Sequence, residues 1–210
     1  MPLRPISYPS LHSKFWRPAL YNRVVQKIIV IAALEAEFSF SGKLFQKVFY
    51  TGIGKINAGR ATTELILTEK PDLILNVGTA GTLRREMLGC VFGIRDVIER
   101  DMMAEPLAPR GMVPLSTQQP LLKSDFGTAR CASGDSFVIA KDVWLEENSV
   151  DLVDMELFAI AKVAEHYGVK WRAIKFASDL ADGNAVEHWN ASLEIANDRI
   201  NEMMDIALQV

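Results

Sequence analysis

The order of segments predicts an α/β protein built on a mixed, largely parallel sheet with helices packed against it. Two observations lead there. Short β-branched runs carry no polar interruption, as strands covered on both faces do, and these runs alternate with glycine turns and helical stretches. Ile28-Ile29-Val30-Ile31-Ala32 is the first such run and is placed as a central strand. Residues 48–50 form a second strand that runs into the turn Thr51-Gly52-Ile53-Gly54. Residues 57–69 then read as a helix that stops before Pro71, because a proline disfavours helical geometry in the residue ahead of it. Residues 72–77 repeat the buried-strand pattern and close on Gly78-Thr79-Ala80-Gly81. Further strands are expected at 90–97, 128–132, 150–153 and 171–177, and a helix at 155–167. Near the end, Trp189, Leu193, Ala196, Ile200, Met203 and Ala207 fall three or four apart and form one apolar helical stripe. Residues 102–124, with four prolines, read as a long irregular connection of the kind that covers a site.

With 210 residues, 49% of them apolar, and no internal repeat, the chain can bury one substantial core, so residues 27–210 are read as a single domain. Residues 1–26 differ: Pro2, Pro5, Pro9 and Pro18 are interspersed with bases, and no acid precedes Glu35. An extended or partly disordered leader is expected there, without the uninterrupted apolar stretch of a signal peptide. A formal charge of −3 and no concentrated basic stripe argue against nucleic acid. No apolar run approaches the roughly 20 residues that cross a bilayer. Cys90 and Cys131 are too few for a disulfide framework, which fits a reducing, cytoplasmic setting.

The glycine turns do not encode a nucleotide cofactor. After Gly52-Ile53-Gly54 the next glycine is Gly59, too distant for the dinucleotide fingerprint, and Gly54-Lys55 lacks the remainder of a phosphate-binding loop. His12, His166 and His188 are scattered and the cysteines lack ligand spacing, so neither metal nor cofactor is expected.

Three acids carry the chemistry instead. Glu37 follows the first buried strand, Glu156 stands in Val-Asp-Met-Glu and Asp179 in Ala-Ser-Asp. Cleaving a ribose–base bond needs an activator for water, a grip on the ribose hydroxyls and a proton donor to the departing base. Glu37, Gly52, Gly78 and Asp179 all lie just past predicted strand ends, where ligands gather in such sheets. Each acid also has a plain structural explanation. Glu156 would suit a helix N-terminus, Asp154 an N-cap, and Glu35 competes with Glu37 two residues away.

Six segments in order span residues 27–182: Ala33-Leu34-Glu35-Ala36-Glu37, Thr51-Gly52-Ile53-Gly54-Lys55-Ile56-Asn57-Ala58, Asn76-Val77-Gly78-Thr79-Ala80-Gly81, Ser133-Gly134-Asp135-Ser136-Phe137-Val138, Val153-Asp154-Met155-Glu156 and Ser178-Asp179-Leu180-Ala181-Asp182. Together they resemble the 5′-methylthioadenosine/S-adenosylhomocysteine nucleosidases of the nucleoside phosphorylase superfamily. The resemblance implies a three-layer α/β/α fold, usually a homodimer, that hydrolyses adenine from 5′-thio-substituted ribosides without a cofactor. It assigns water activation to Glu37, protonation of the base to Asp179 and the ribose hydroxyls to Glu156. Phe137 and Val138 match the residues that stack on the purine and bind it through the backbone, Met155 packs by the ribose, and Ala80 and Gly81 line the base. Thr79 stands where a serine often helps to hold the water, Ser178 sits beside the acid, and Lys175 takes the place of an arginine near the attacking water.

The chemistry is consistent with these roles. As the glycosidic bond stretches, the ribose becomes cation-like and the purine accumulates negative charge, so an acid aimed at the base and a carboxylate by the sugar favour the transition state. Phosphorolysis is the nearest alternative, but phosphorylases of the superfamily surround phosphate with arginines, and here Asn76 fills one such place. A non-catalytic nucleoside-binding protein is the other alternative, as are other purine ribosides as substrates. The chain also departs from the family by its short connections, with only about a dozen residues between Glu37 and Thr51. The stretch 100–107, rich in Met and Leu, falls where relatives build part of the pocket for the 5′ substituent.

Overall fold

In the computed structural model the described residues are 27–39, 47–116 and 120–208. The expected leader at 1–26 lies outside them. The elements run β1 (Ile28–Ala32), β2 (Val48–Tyr50), α1 (Lys55–Glu69), β3 (Leu73–Thr82), a short 3-10 turn (Arg85–Met87), β4 (Val91–Glu99), β5 (Leu121–Lys123), β6 (Ala129–Ser133), α2 (Val143–Glu147), β7 (Leu152–Asp154), α3 (Leu157–His166), β8 (Lys170–Asp179) and α4 (Ala185–Ala207).

The eight strands form one mixed sheet in the order β2-β1-β3-β7-β6-β4-β5, with β8 paired to both β3 and β4. The pairs β1/β2, β1/β3, β3/β8, β4/β6 and β6/β7 are parallel, whereas β3/β7, β4/β5 and β4/β8 are antiparallel. Because β8 bridges β3 and β4, the strands β3, β8, β4, β6 and β7 close into a ring, while β1 and β2 extend from it. Helices cover both sides. Ala58, Leu65 and Ile66 of α1 and Leu157, Ile160 and Ala164 of α3 pack on one face. Ala196, Ile200, Met204 and Ala207 of α4 pack on the other, against Val30, Leu75 and Ile174. This is the α/β/α layering that the family resemblance implies.

Four local expectations are corrected. Gly78 to Gly81 do not close a strand; they belong to β3, which is buried along its whole length. Glycine is needed there for close approach, since a Cβ on Gly81 would lie 2.8 Å from Asp179 Oδ1. Residues 102–124 are not wholly irregular, because Leu121–Lys123 add an edge strand to β4 through backbone pairing that periodicity does not reveal. The third helix begins at Leu157, so Met155 and Glu156 precede it. Asp154 nevertheless serves that helix as expected, its Oδ2 accepting from the Leu157 N–H at 2.9 Å. In α4 the buried position is Met204 and Met203 is partly buried.

Candidate active site

The residues nominated from sequence converge because several strands end at the same place. Glu37 sits in a turn just after β1, Thr79 to Gly81 lie in the second half of β3, and Asp179 ends β8. Phe137 and Val138 follow β6, and Met155 and Glu156 follow β7. All of these, with Ser178, line one cavity of about 190 Å³. Its wall also contains Ala33, Leu34, Ile53, Arg100, Val186 and Trp189.

Each acid is buried, and each is held differently. The Thr79 hydroxyl donates to Glu37 Oε1, and the Thr79 N–H approaches the same oxygen at 3.4 Å. Glu37 Oε2 is buried and accepts no hydrogen bond among the described residues. An unpaired buried carboxylate oxygen is costly unless a water or ligand completes it.

Asp179 accepts from the Ser178 hydroxyl at 2.8 Å and from the Ala181 N–H at 2.9 Å. Its aim is set by a bulge: Ala80 pairs with Ala177 and Gly81 with Asp179, leaving Ser178 as the extra residue. Such a bulge turns the following side chain off the regular alternation.

Glu156 Oε1 accepts from the Gly54 N–H at 2.8 Å. Gly54 has φ 94°, a conformation open to glycine that aims this N–H at the carboxylate from the start of α1. Burial, followed by the negative charge of Asp154, pushes the Glu156 carboxyl up to about 7, against the lowering influence of Lys175 and the Gly54 hydrogen bond.

Lys175 is the one nominated residue that does not line the cavity. It is only 2% exposed, and its Nζ lies 2.8 Å from Asp154 Oδ2. A fully buried ammonium needs a counter-charge, and Asp154, itself part of the cavity wall, supplies it from in front of Lys175. Ser133 completes the group by donating to Asp154 Oδ1 at 2.5 Å.

The rim is organised by a second cluster. Lys55 Nζ reaches both Glu99 and Asp101, while Asp101 accepts from the Asp135 N–H at 2.7 Å and Asp135 accepts from the Lys55 N–H at 2.7 Å. Arg100 donates to the Gly134 carbonyl at 2.9 Å and also to the Ser136 carbonyl. These contacts secure the loop that carries Phe137 and Val138. From the stretch 100–107 only Arg100 lines the cavity, whereas Met103 and Leu107 are exposed.

Sequence reasoning included Arg100 only within a pocket-building stretch argued from its Met and Leu residues, and assigned Trp189 to the apolar stripe of the last helix. A signal existed for Arg100, which directly follows the end of β4, the strand that runs parallel to β6. For Trp189 the only hint is its place early in α4, soon after Asp179.

The model of the phosphorylase superfamily matches residues 35–209. A 5′-methylthioadenosine/S-adenosylhomocysteine nucleosidase from Staphylococcus haemolyticus is 31% identical over 170 residues, covering 70% of this chain and 75% of that protein. The Buchnera aphidicola protein of the same name is 28% identical over 180 residues, covering 76% and 77%. The fold is shared with the Helicobacter pylori nucleosidase crystallised with butyl-thio-DADMe-Immucillin-A, at a TM-score of 0.75 and 20% identity, over 88% of this chain and 99% of that one. Helicobacter pylori futalosine hydrolase aligns with a TM-score of 0.73. The chain therefore belongs to the 5′-methylthioadenosine/S-adenosylhomocysteine nucleosidase family of the phosphorylase superfamily.

Proposed function

We propose that this protein hydrolyses the N-glycosidic bond of 5′-substituted adenosines, releasing adenine and the ribose derivative. The observation that carries the reading is the meeting of Glu37, Glu156 and Asp179 around one cavity. In this reading the unpaired Oε2 of Glu37 takes the proton of the attacking water, Glu156 accepts from the ribose hydroxyls, and Asp179 protonates the departing base. Phe137 stacks on the purine beside Val138, and Met155 packs against the sugar. Ile53 and Val186 add apolar surface suited to a thioether substituent. Lys175 acts from behind, as the counter-charge of Asp154 next to Glu156.

Hydrolysis is favoured over phosphorolysis by Asn76. Its side-chain N–H₂ donates to the Ile31 carbonyl at 3.1 Å, tying β3 to β1 where an arginine would bind phosphate. A homodimer is the assembly this reading entails. It is supported by exposed Leu107, Met112, Val113, Ile139 and Val143, on two stretches tied together by the Arg110–Asp142 ion pair at 2.7 Å.

The test is adenine release from 5′-methylthioadenosine and S-adenosylhomocysteine with and without phosphate. Turnover without phosphate is expected, with Glu37→Gln and Asp179→Asn each lowering kcat by about 10²–10⁴-fold. A requirement for phosphate would replace hydrolysis by phosphorolysis, and full turnover of Asp179→Asn would remove its role as the acid.

A further inference from the structure

We propose that Trp189 is a positioning residue for the water-activating carboxylate, acting through the Thr79 hydroxyl; this rests on the assignment of Glu37 as the base. Trp189 lies near the start of α4, on the cavity wall, and its indole N–H donates to Thr79 Oγ1 at 2.9 Å. An indole nitrogen is a donor only, so the threonine oxygen must act as acceptor in this contact. The hydroxyl has one proton, and with the indole on its oxygen that proton is directed to Glu37 Oε1.

The consequence is an ordered chain from indole to hydroxyl to carboxylate. Without the indole N–H, the Thr79 rotor is free to turn its proton elsewhere, and Glu37 loses a fixed partner. Among the described residues, Thr79 supplies the hydrogen bonds to the Glu37 carboxylate, all of them to Oε1. Holding one oxygen from Thr79 sets the orientation of the carboxylate and leaves Oε2 as the acceptor for water. Glu37 itself rises from a short turn whose backbone is closed by its N–H to the Leu34 carbonyl at 3.2 Å, so its side chain depends on β3 and α4 for alignment. Misalignment of a general base impairs the chemical step more than ground-state binding.

The decisive variant is Trp189→Phe, which keeps an aromatic wall and removes the N–H. Expected is a fall in kcat of about 5–30-fold, with KM changed less than about twofold. In a Thr79→Val background the same replacement should change kcat less than about twofold, because the group through which Trp189 acts is already gone. Unchanged kcat in Trp189→Phe overturns the proposal, as does a rise in KM at constant kcat, which would make the indole a wall alone. An equal loss in both backgrounds overturns it too, since the effect would then bypass Thr79. If Trp189→Phe does not fold, site-specific replacement of Trp189 by benzothienylalanine, with sulfur in place of the N–H, is read by the same criteria. Glu37→Gln measured alongside separates the two levels. Full turnover of that variant refutes the base assignment, whereas an inert Glu37→Gln together with normal Trp189→Phe refutes only the positioning role.

Discussion

Two lysines in this molecule each meet acids, one at the cavity rim and one in the interior. Lys55 has a side chain 17% exposed and contacts both Glu99 and Asp101 at 2.5 Å. Lys175 is 2% exposed and contacts Asp154 at 2.8 Å. Burial pulls both ammonium groups down, but in each case the neighbouring acids outweigh it and the lysine is held above its ordinary range. Asp154 responds in kind: despite its burial, it is held below the usual carboxylate range, chiefly by the Lys175 charge. The difference lies in what depends on each pair. The rim pair latches a loop that water still reaches, whereas the interior pair sets the charges against which Glu156 titrates.

Breaking the interior pair should have the largest effect. Lys175→Met leaves Asp154 buried without its counter-charge and is expected to destabilise the fold by about 3–5 kcal/mol in urea denaturation. The double variant Lys175→Met/Asp154→Asn, which removes the charge but keeps an acceptor for the Leu157 N–H, should recover much of that loss, and no recovery would mean that packing around Lys175, not charge, was at stake.

The next effect follows from Glu156. Its folded value of about 7 stands above the ordinary 4.5, so the folded state holds the extra proton between those limits. Stability contributed by that proton is present below about 4.5 and is lost as pH rises to about 7, a difference of about 3 kcal/mol at most. Glu156→Gln should abolish this slope. For activity the sign is opposite: under the proposed role of Glu156 the ribose hydroxyls need its ionised carboxylate, so kcat/KM should fall about tenfold per pH unit below about 7. The same profile in Glu156→Gln would contradict the assignment.

The smallest effect is expected at the rim. Lys55→Met should lower stability by only about 1 kcal/mol, because partly exposed ion pairs contribute little. It should raise KM by loosening the loop that carries Phe137, with kcat nearly unchanged. A stability loss as large as that of Lys175→Met would erase the distinction between the two lysines.

Much of this was legible in advance, for a physical reason. Buried parallel strands must be apolar throughout, so 28–32 and 72–77 announce β1 and β3, and proline cannot follow a helical residue freely, so Pro71 marks the end of α1. The acids stand out because they interrupt or follow such runs. Less legible was anything that depends on approach between distant segments. The glycines of 78–81 look like a turn and prove to be strand, and at Gly81 the missing side chain makes room for the Asp179 carboxylate arriving from β8. Trp189 looks like one more apolar residue of an amphipathic helix until its N–H is found on Thr79.

By itself, the sequence determined the alternation of buried strands and long helices and nominated the three acids, since local periodicity and residue chemistry act over a few neighbours. Only the tertiary structure decided that β8 would join both β3 and β4, that a bulge at Ser178 would aim Asp179, and that Lys175 would stand behind the wall of the cavity. Those outcomes depend on backbone register and on which charges share a dry interior, and both are settled only when segments far apart in the chain pack together.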